Sequence, residues 1–375
     1  MRKCLATAMV LVLTAVSVGF GASARWNALG GEHRFILDTS NYAIYPGRMY
    51  QFADALWIIP NIPAGVVPDN MMSGLLVKRG DMAWAIHYNM PGPVGFSALR
   101  GALAGAGGNL PALANRIRAF PDLFLAKKMG DMVIGGRLVL GLASSEPVKD
   151  KVAKATSVDV GLGVTKCMAL GDLDVGLRLF KASFSDEAAN IDSKNGIGLN
   201  LDARLMMPRG EGTKLVPVLG LRYLSEPVVS GAAEVSHVGV NFGLGFNRTT
   251  GPKKALLVSG VVCDVDMETT SPPAGAEVKV TTATLSYLGG YERKLNSWLT
   301  ARGGARATMT VVTGDDPARN GITGNFFYNF GIRVAYKKVL VDMLLSRALL
   351  HRGPYIISGS GANMATNVCL TYLLH

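Results

Sequence analysis

Cysteine is scarce: four residues in 375, at positions 4, 167, 263 and 369. Their scatter supplies no disulfide framework and no metal-ligand spacing. Histidine is almost as rare, and His33, His87, His237, His351 and His375 share no metal or triad spacing. No cofactor or metal is expected. Charge is low for the length, at 17% Asp, Glu, Lys and Arg. Past residue 24 no run reaches the roughly 18 uninterrupted apolar residues that a spanning helix needs. Yet 49% of the chain is hydrophobic, so shorter, alternating segments must carry that apolar content.

The first residues have the layout of a secretory signal. Arg2 and Lys3 precede an uncharged run from Leu5 to Phe20, and Ala22-Ser23-Ala24 is a small-x-small cleavage motif. Residues 1–24 are read as a signal peptide. Cys4 leaves with it and stands at the wrong end to be a lipid-modified start. Residues 25–375 carry 36 basic and 27 acidic residues, a formal charge of +9. For an exported chain, nucleic acid is not an expected partner of that charge. Anionic headgroups, acidic polysaccharide or anionic solutes are, as is a basic surface with no dedicated partner.

Val238 to Asn247 reads Val-Gly-Val-Asn-Phe-Gly-Leu-Gly-Phe-Asn. Apolar residues alternate without a miss with Gly or Asn, which on a strand makes one face apolar and the other small or polar. The pattern recurs along most of the chain. Gly74 to Lys78 with Met82 to Asn89, Phe124 to Lys128 with Met132 to Leu142, and Val158 to Met168 with Leu173 to Lys181 read as hairpins. The turns expected there are Gly80-Asp81, Gly130-Asp131 and Gly171-Asp172. Further pairs are Ile197 to Met207 with Lys214 to Leu224, His237 to Asn247 with Lys254 to Met267, Glu277 to Gly290 with Ser297 to Val312, and Phe326 to Tyr336 with Val339 to Leu349. Thr366 to Leu374 is a last strand.

Short connections alternate with long polar ones, such as Met90 to Phe120, Ala143 to Ser157 and His351 to Met364. Short turns on one rim and long loops on the other are expected of an up-and-down outer-membrane barrel. Counting from Met82 gives 14 strands; adding Ala53 to Ile58 and Gly74 to Lys78 gives 16. Pro111 to Phe120 is expected to be a short helix in the longest loop.

The face opposite the apolar one is rich in Gly, Asn, Asp and Arg, which suits a crowded lumen better than a solvated sheet. The candidate lumen residues are Arg137, Arg178, Arg204, Arg222, Arg302, Arg306, Arg333, Asn200 and Asn241. Two readings stand open. The arginines form a basic lining that draws anions inward, or they pair across strands with Asp159, Asp174 and Asp202. Gly161-Leu162-Gly163 and Gly243-Leu244-Gly245 lie inside strands with no helix following and are no phosphate loop. Asp264 and Asp266 share a face, read as lumen carboxylates. Ser230-Gly231, Ser358-Gly359 and Ser360-Gly361 are loop punctuation, not a nucleophile elbow. No enzyme is read here.

The mature N-terminus resembles exported barrel proteins of the long-chain fatty-acid transporter superfamily. The matching residues are Ala24-Arg25, Gly30-Gly31, Asp38-Thr39-Ser40-Asn41 and Tyr45-Pro46-Gly47, where the family usually has Asn-Pro-Ala at the last site. The C-terminal Leu374-His375 departs from the aromatic that barrel-assembly machinery commonly reads. The resemblance implies a 14-stranded barrel with its N-terminal segment as a lumen plug, and makes Gly30, Gly31, Asp38, Asn41 and Pro46 plug candidates.

The expected fold is an all-β, up-and-down antiparallel transmembrane β-barrel with an irregular N-terminal plug-like segment. Residues 25–71 form that segment and 72–375 the barrel, with both termini in the periplasm. Expected partners are outer-membrane lipid, lipopolysaccharide and barrel-assembly machinery. The expected role is a passive channel or transporter for small or hydrophobic solutes, the alternative a plugged structural, secretion-accessory or surface-interaction barrel. The solute is not specified.

Overall fold

The computed structural model describes residues 24–52, 54–59, 72–88, 94–114, 118–149, 151–251, 255–315, 317–345 and 365–374. The signal peptide expected at residues 1–24 lies almost wholly outside them, as does the segment His351 to Met364.

One antiparallel sheet runs through the chain in sequence order. It begins with β1 (Ala55–Ile59), β2 (Met72–Arg79), β3 (Met82–Tyr88), β4 (Arg118–Met129), β5 (Met132–Val148), β6 (Lys151–Met168) and β7 (Gly171–Asp186). The two-residue β8 (Ile191–Asp192) pairs only with the end of β7, and the ring continues from β7 to β9 (Gly196–Pro208). Next come β10 (Thr213–Ser225), β11 (Glu234–Thr250), β12 (Ala255–Ser271) and β13 (Val278–Lys294). The last four are β14 (Leu299–Gly314), β15 (Gly321–Tyr336), β16 (Val339–Leu345) and β17 (Ala365–Leu373). β17 then pairs with β1, Ala55 opposite Leu373, and closes the ring. Closure leaves no free sheet edge.

The barrel therefore has 16 strands plus the short β8, the larger of the two sequence counts and not the 14 that the resemblance implies. The two additional strands are β1 and β2. β1 overlaps the expected strand Ala53 to Ile58, although its Ala-Leu-Trp-Ile-Ile is apolar throughout and shows no period-2 alternation. It also lies ahead of residue 72, where the sequence pattern begins the barrel. The supposed loop Ala143 to Ser157 is mostly strand: β5 and β6 stay in register to Ser145↔Ala153, and after a register shift Val148 pairs with Lys151. The helix expected over Pro111 to Phe120 is shorter and earlier. The connection between β3 and β4 holds α2 (Val94–Gly105) and α3 (Leu110–Ala114), and β4 has begun by Arg118.

Turn chemistry accounts for the short rim. Arg79 pairs with Met82 and Met129 with Met132, so Gly80-Asp81 and Gly130-Asp131 are two-residue turns whose glycines take φ of +55° and +64°. The third expected turn is displaced. Met168 pairs with Gly171, so Ala169-Leu170 makes the turn and Asp172 belongs to β7.

The two faces differ sharply. Leu125, Leu162, Phe242 and Tyr287 on the outer face are 51–59% exposed. Their inward neighbours Asp122, Asp174 and Arg204 are at most 1% exposed. A soluble barrel would bury its apolar face and expose the charged one; here the order is inverted. Toward the long-loop rim, α2 and α3 fold inside the wall. Leu99, Leu103, Leu110 and Leu113 pack on inward Val139, Ala153, Ala155, Ala182 and Phe184.

Candidate functional site: the lumen and the N-terminal segment

Residues 24–54 contain α1 (Ala24–Ala28) and three 3₁₀ turns, His33–Phe35, Thr39–Ala43 and Pro46–Gln51. The segment packs against the wall from β3 round to β17, and glycine makes that packing possible. A Cβ at Gly135, Gly163, Gly176, Gly245, Gly260, Gly290 or Gly304 would come within 3.0 Å of the segment. Pro46 rests on Gly135 and Gly163, the Ile44 carbonyl on Gly176, the Phe35 ring on Gly245 and Gly260, and Leu29 on Gly290 and Gly304. Glycine costs strand stability, and these seven positions show what requires it.

Plug candidates Gly30 and Gly31 turn the chain at φ of +103° and +86°. Asn41 is fully buried, and its Oδ1 accepts from the Asp38 backbone N–H at 3.0 Å and from Arg204 at 3.1 Å. Asp38 lies 3.8 Å from Arg25. All five candidates belong to the packed segment.

The lumen arginines are held by partners rather than displayed as a free basic lining. Arg137 makes a bidentate pair with Asp122, at 2.8 and 2.9 Å, and donates to the Ala43 carbonyl at 3.2 Å. Arg178 meets Asp159 at 3.2 Å, and Arg222 meets Asp266 at 2.8 Å. Arg204 binds Asp174 at 2.7 Å and donates to the carbonyls of Arg34 and Ile36 at 2.8 and 3.0 Å. Arg302 binds Glu292 at 2.6 Å and also Asp342, which takes Arg333 at 2.9 Å. Arg306 donates to Ser286 at 2.8 Å. Asn200 stands in register between Arg178 and Arg222, and Asn241 accepts from Arg34. The pairing of Asp159 and Asp174 follows the second sequence reading. Asp202 instead lies 3.9 Å from Arg34 of the N-terminal segment.

Several residues that matter here escaped the sequence pattern. Arg25 binds Glu292 at 2.9 Å, and Arg48 binds Asp174 at 2.6 Å. The Tyr42 hydroxyl meets Nε2 of His87 at 2.7 Å, in an aromatic cluster with Phe52 and Phe124. Inward parity alone could have marked Asp122, Glu292 and Asp342; nothing periodic marks Arg25, Arg48 or Tyr42. Burial disfavours the Arg34 cation, but its bond to Glu32 and that carboxylate's charge outweigh this, and its pKa lies above the usual value. Burial also pushes the phenols of Tyr42 and Tyr45 above the usual tyrosine range.

Two glycines serve the arginines instead of the segment. A Cβ at Gly161 would press on the Arg137 Cβ at 3.2 Å, and one at Gly239 on the Arg222 guanidinium at 3.0 Å. Arginine side chains lie along the wall over these glycines, which explains the Gly and Arg alternation of the inner face. No group of metal-binding side chains occurs among the described residues.

No family model matches the chain, and no curated protein does. Solved structures similar to it include the apoprotein of the FrpB iron transporter from Neisseria meningitidis (F5-1 variant), at 7% identity and TM-score 0.43, covering 82% of this chain and 62% of that one. CdiB from Escherichia coli is similar at 9% identity and TM-score 0.43, covering 85% and 62%. A deltaS2S3 mutant of the monoaromatic hydrocarbon channel TodX is similar at 10% identity and TM-score 0.39, covering 94% and 98%. The chain thus spans 62% of the length of the first two. At such identities and TM-scores these likenesses carry no argument, and the barrel rests on its own hydrogen-bonded register.

Proposed function

We propose that this chain is an outer-membrane β-barrel of a diderm bacterium, a passive channel or transporter for small or hydrophobic solutes whose lumen is plugged by residues 25–54. The observation that carries the membrane reading is the inversion of faces, exposed Leu125, Leu162 and Phe242 outside against buried Asp174 and Arg204 inside. The short turns and both termini face the periplasm in this reading, and the long connections face outward. Lipid and lipopolysaccharide surround the barrel, and barrel-assembly machinery inserts it.

The plug reading rests on the seven glycine seats and on the ion pairs of Arg25 and Arg48 with the wall. Their number also favours a second reading: a permanently closed barrel with a structural, secretion-accessory or surface-interaction role. No catalytic role is assigned.

Two measurements test the proposal. A folded membrane barrel resists cold detergent, so the unboiled protein from outer-membrane fractions should migrate anomalously in electrophoresis. No shift, with the protein free in the periplasm, would end the membrane reading. Deleting residues 25–47 should then raise conductance in a planar bilayer; unchanged conductance would count against a plug.

A further inference from the structure

On five strands the outward apolar stripe ends, toward the short-turn rim, in a basic residue. Leu75 and Val77 lead to Arg79 on β2, and Leu123 and Leu125 to Lys127 on β4. Leu162 and Val164 lead to Lys166 on β6, Leu244 and Phe246 to Arg248 on β11, and Tyr287 and Tyr291 to Arg293 on β13. All five basic residues are exposed. No carboxylate partner is found for them among the described residues.

The wider rim follows the same trend. Residues 78–82, 126–132, 166–172, 207–214, 248–251, 291–298 and 336–339 hold 12 Lys and Arg against 5 Asp and Glu, an excess of seven. That is seven of the nine net positive charges of residues 25–375, so the rim carries most of the basic excess. Two of those five acids, Asp172 and Glu292, are turned toward arginines of the lumen or the N-terminal segment. The opposite rim mixes signs, as in the pairs Lys194–Glu234, Lys279–Glu277 and Arg319–Glu268.

We infer that Arg79, Lys127, Lys166, Arg248 and Arg293 form a collar that binds anionic phospholipid headgroups in the leaflet at the short-turn rim. This rests on the membrane-barrel reading above. The geometry is that of an interface: an apolar stripe, an aromatic at its end on two of the strands, then a cation on the same face. Each cation sits where a lipid phosphate would lie beside the barrel, and polybasic surfaces of this kind attract anionic lipid. Basic residues pointing into the lumen could not do this.

The experiment compares the full chain with R79Q/K127Q/K166Q/R248Q/R293Q and with a control of equal charge loss on the other rim, K149Q/K151Q/K154Q/K194Q/K279Q. A milder R248Q/R293Q variant covers the case in which the fivefold change blocks folding. Folding is checked first, by the unboiled gel shift in phosphatidylcholine vesicles; its absence in the wild-type chain defeats the barrel reading itself. Lipid retained after exchange in equal phosphatidylglycerol and phosphatidylcholine micelles is then quantified by native mass spectrometry.

The wild type and the control should favour phosphatidylglycerol, and the collar variant should lose about tenfold of that preference, the double variant part of it. The wild-type preference should shrink as salt rises. Equal retention by all variants, loss in the control alike, or no wild-type preference would overturn the collar. So would a preference for lipid A over phosphatidylglycerol carried by the same five residues.

Discussion

Arg48 of the N-terminal segment and Asp174 of β7 form an ion pair at 2.6 Å in which neither side chain reaches solvent. Arg204, from the neighbouring strand, binds the same carboxylate at 2.7 Å. One buried anion therefore ties the segment to the wall and two strands to each other. Asp174→Asn would leave Arg204 without its carboxylate and Arg48 with only Asp172 at 3.5 Å, and breaking such a buried pair costs about 3–5 kcal/mol. Arg48→Met should cost less, because Asp174 keeps Arg204. Denaturant unfolding of both variants in detergent checks the order; a milder effect for Asp174→Asn would mean the site is wetter than it looks.

The glycine seats give a second expectation. Gly176→Leu and Gly245→Leu place bulk where the Ile44 carbonyl and the Phe35 ring already sit. Overpacking of this kind costs about 1–3 kcal/mol when it cannot relax. Here the segment can leave, so single-channel conductance should rise toward that of the 25–47 deletion while the gel shift persists. Gly289→Ala, where a Cβ meets open space, should change nothing. A closed, folded Gly176→Leu barrel would contradict the seating.

The inward-folded α2 and α3 depend on a small apolar cluster. Leu99 and Leu103 are fully buried against Ala153, Ala155 and Phe184. Leu103→Ala should weaken the docking by about 2–5 kcal/mol. Limited proteolysis should then cut within residues 94–114, which the wild type protects, and the barrel's gel shift should remain. Equal protease resistance would show that other contacts hold the connection.

Much of this architecture is legible in the sequence because a strand's period is short and local. Val238 to Asn247 declares both its faces without reference to any other segment. β1 is readable as a short apolar segment but not by its faces, since five consecutive apolar residues carry no parity. The N-terminal segment is silent because its meaning lies in distant partners. Arg25 finds Glu292 267 residues away, and Pro46 fits Gly135 and Gly163 only after the barrel has closed. The arginines were visible as inward residues, but pairing is a property of neighbouring strands, and so the choice between a free lining and cross-strand pairs required the register.

Two buried phenols make the last expectation. Burial raises the pKa of Tyr42 and Tyr45 in the folded state, whereas in the unfolded chain they titrate near the usual value of about 10. The folded state therefore holds protons that the unfolded state gives up, and this contribution is complete below pH of about 10 and lost as pH rises beyond it. Unfolding midpoints should fall in alkali, and ultraviolet titration of the folded barrel should show fewer tyrosinates than the denatured chain. The two residues separate at neutral pH. The Tyr45 hydroxyl has no hydrogen-bond partner among the described residues, so Tyr45→Phe should be neutral or slightly stabilising there and should reduce the alkaline loss. Tyr42→Phe breaks the 2.7 Å contact with His87 and should cost about 0.5–1.5 kcal/mol. An alkaline profile unchanged in Tyr45→Phe would mean that water reaches this phenol from the lumen.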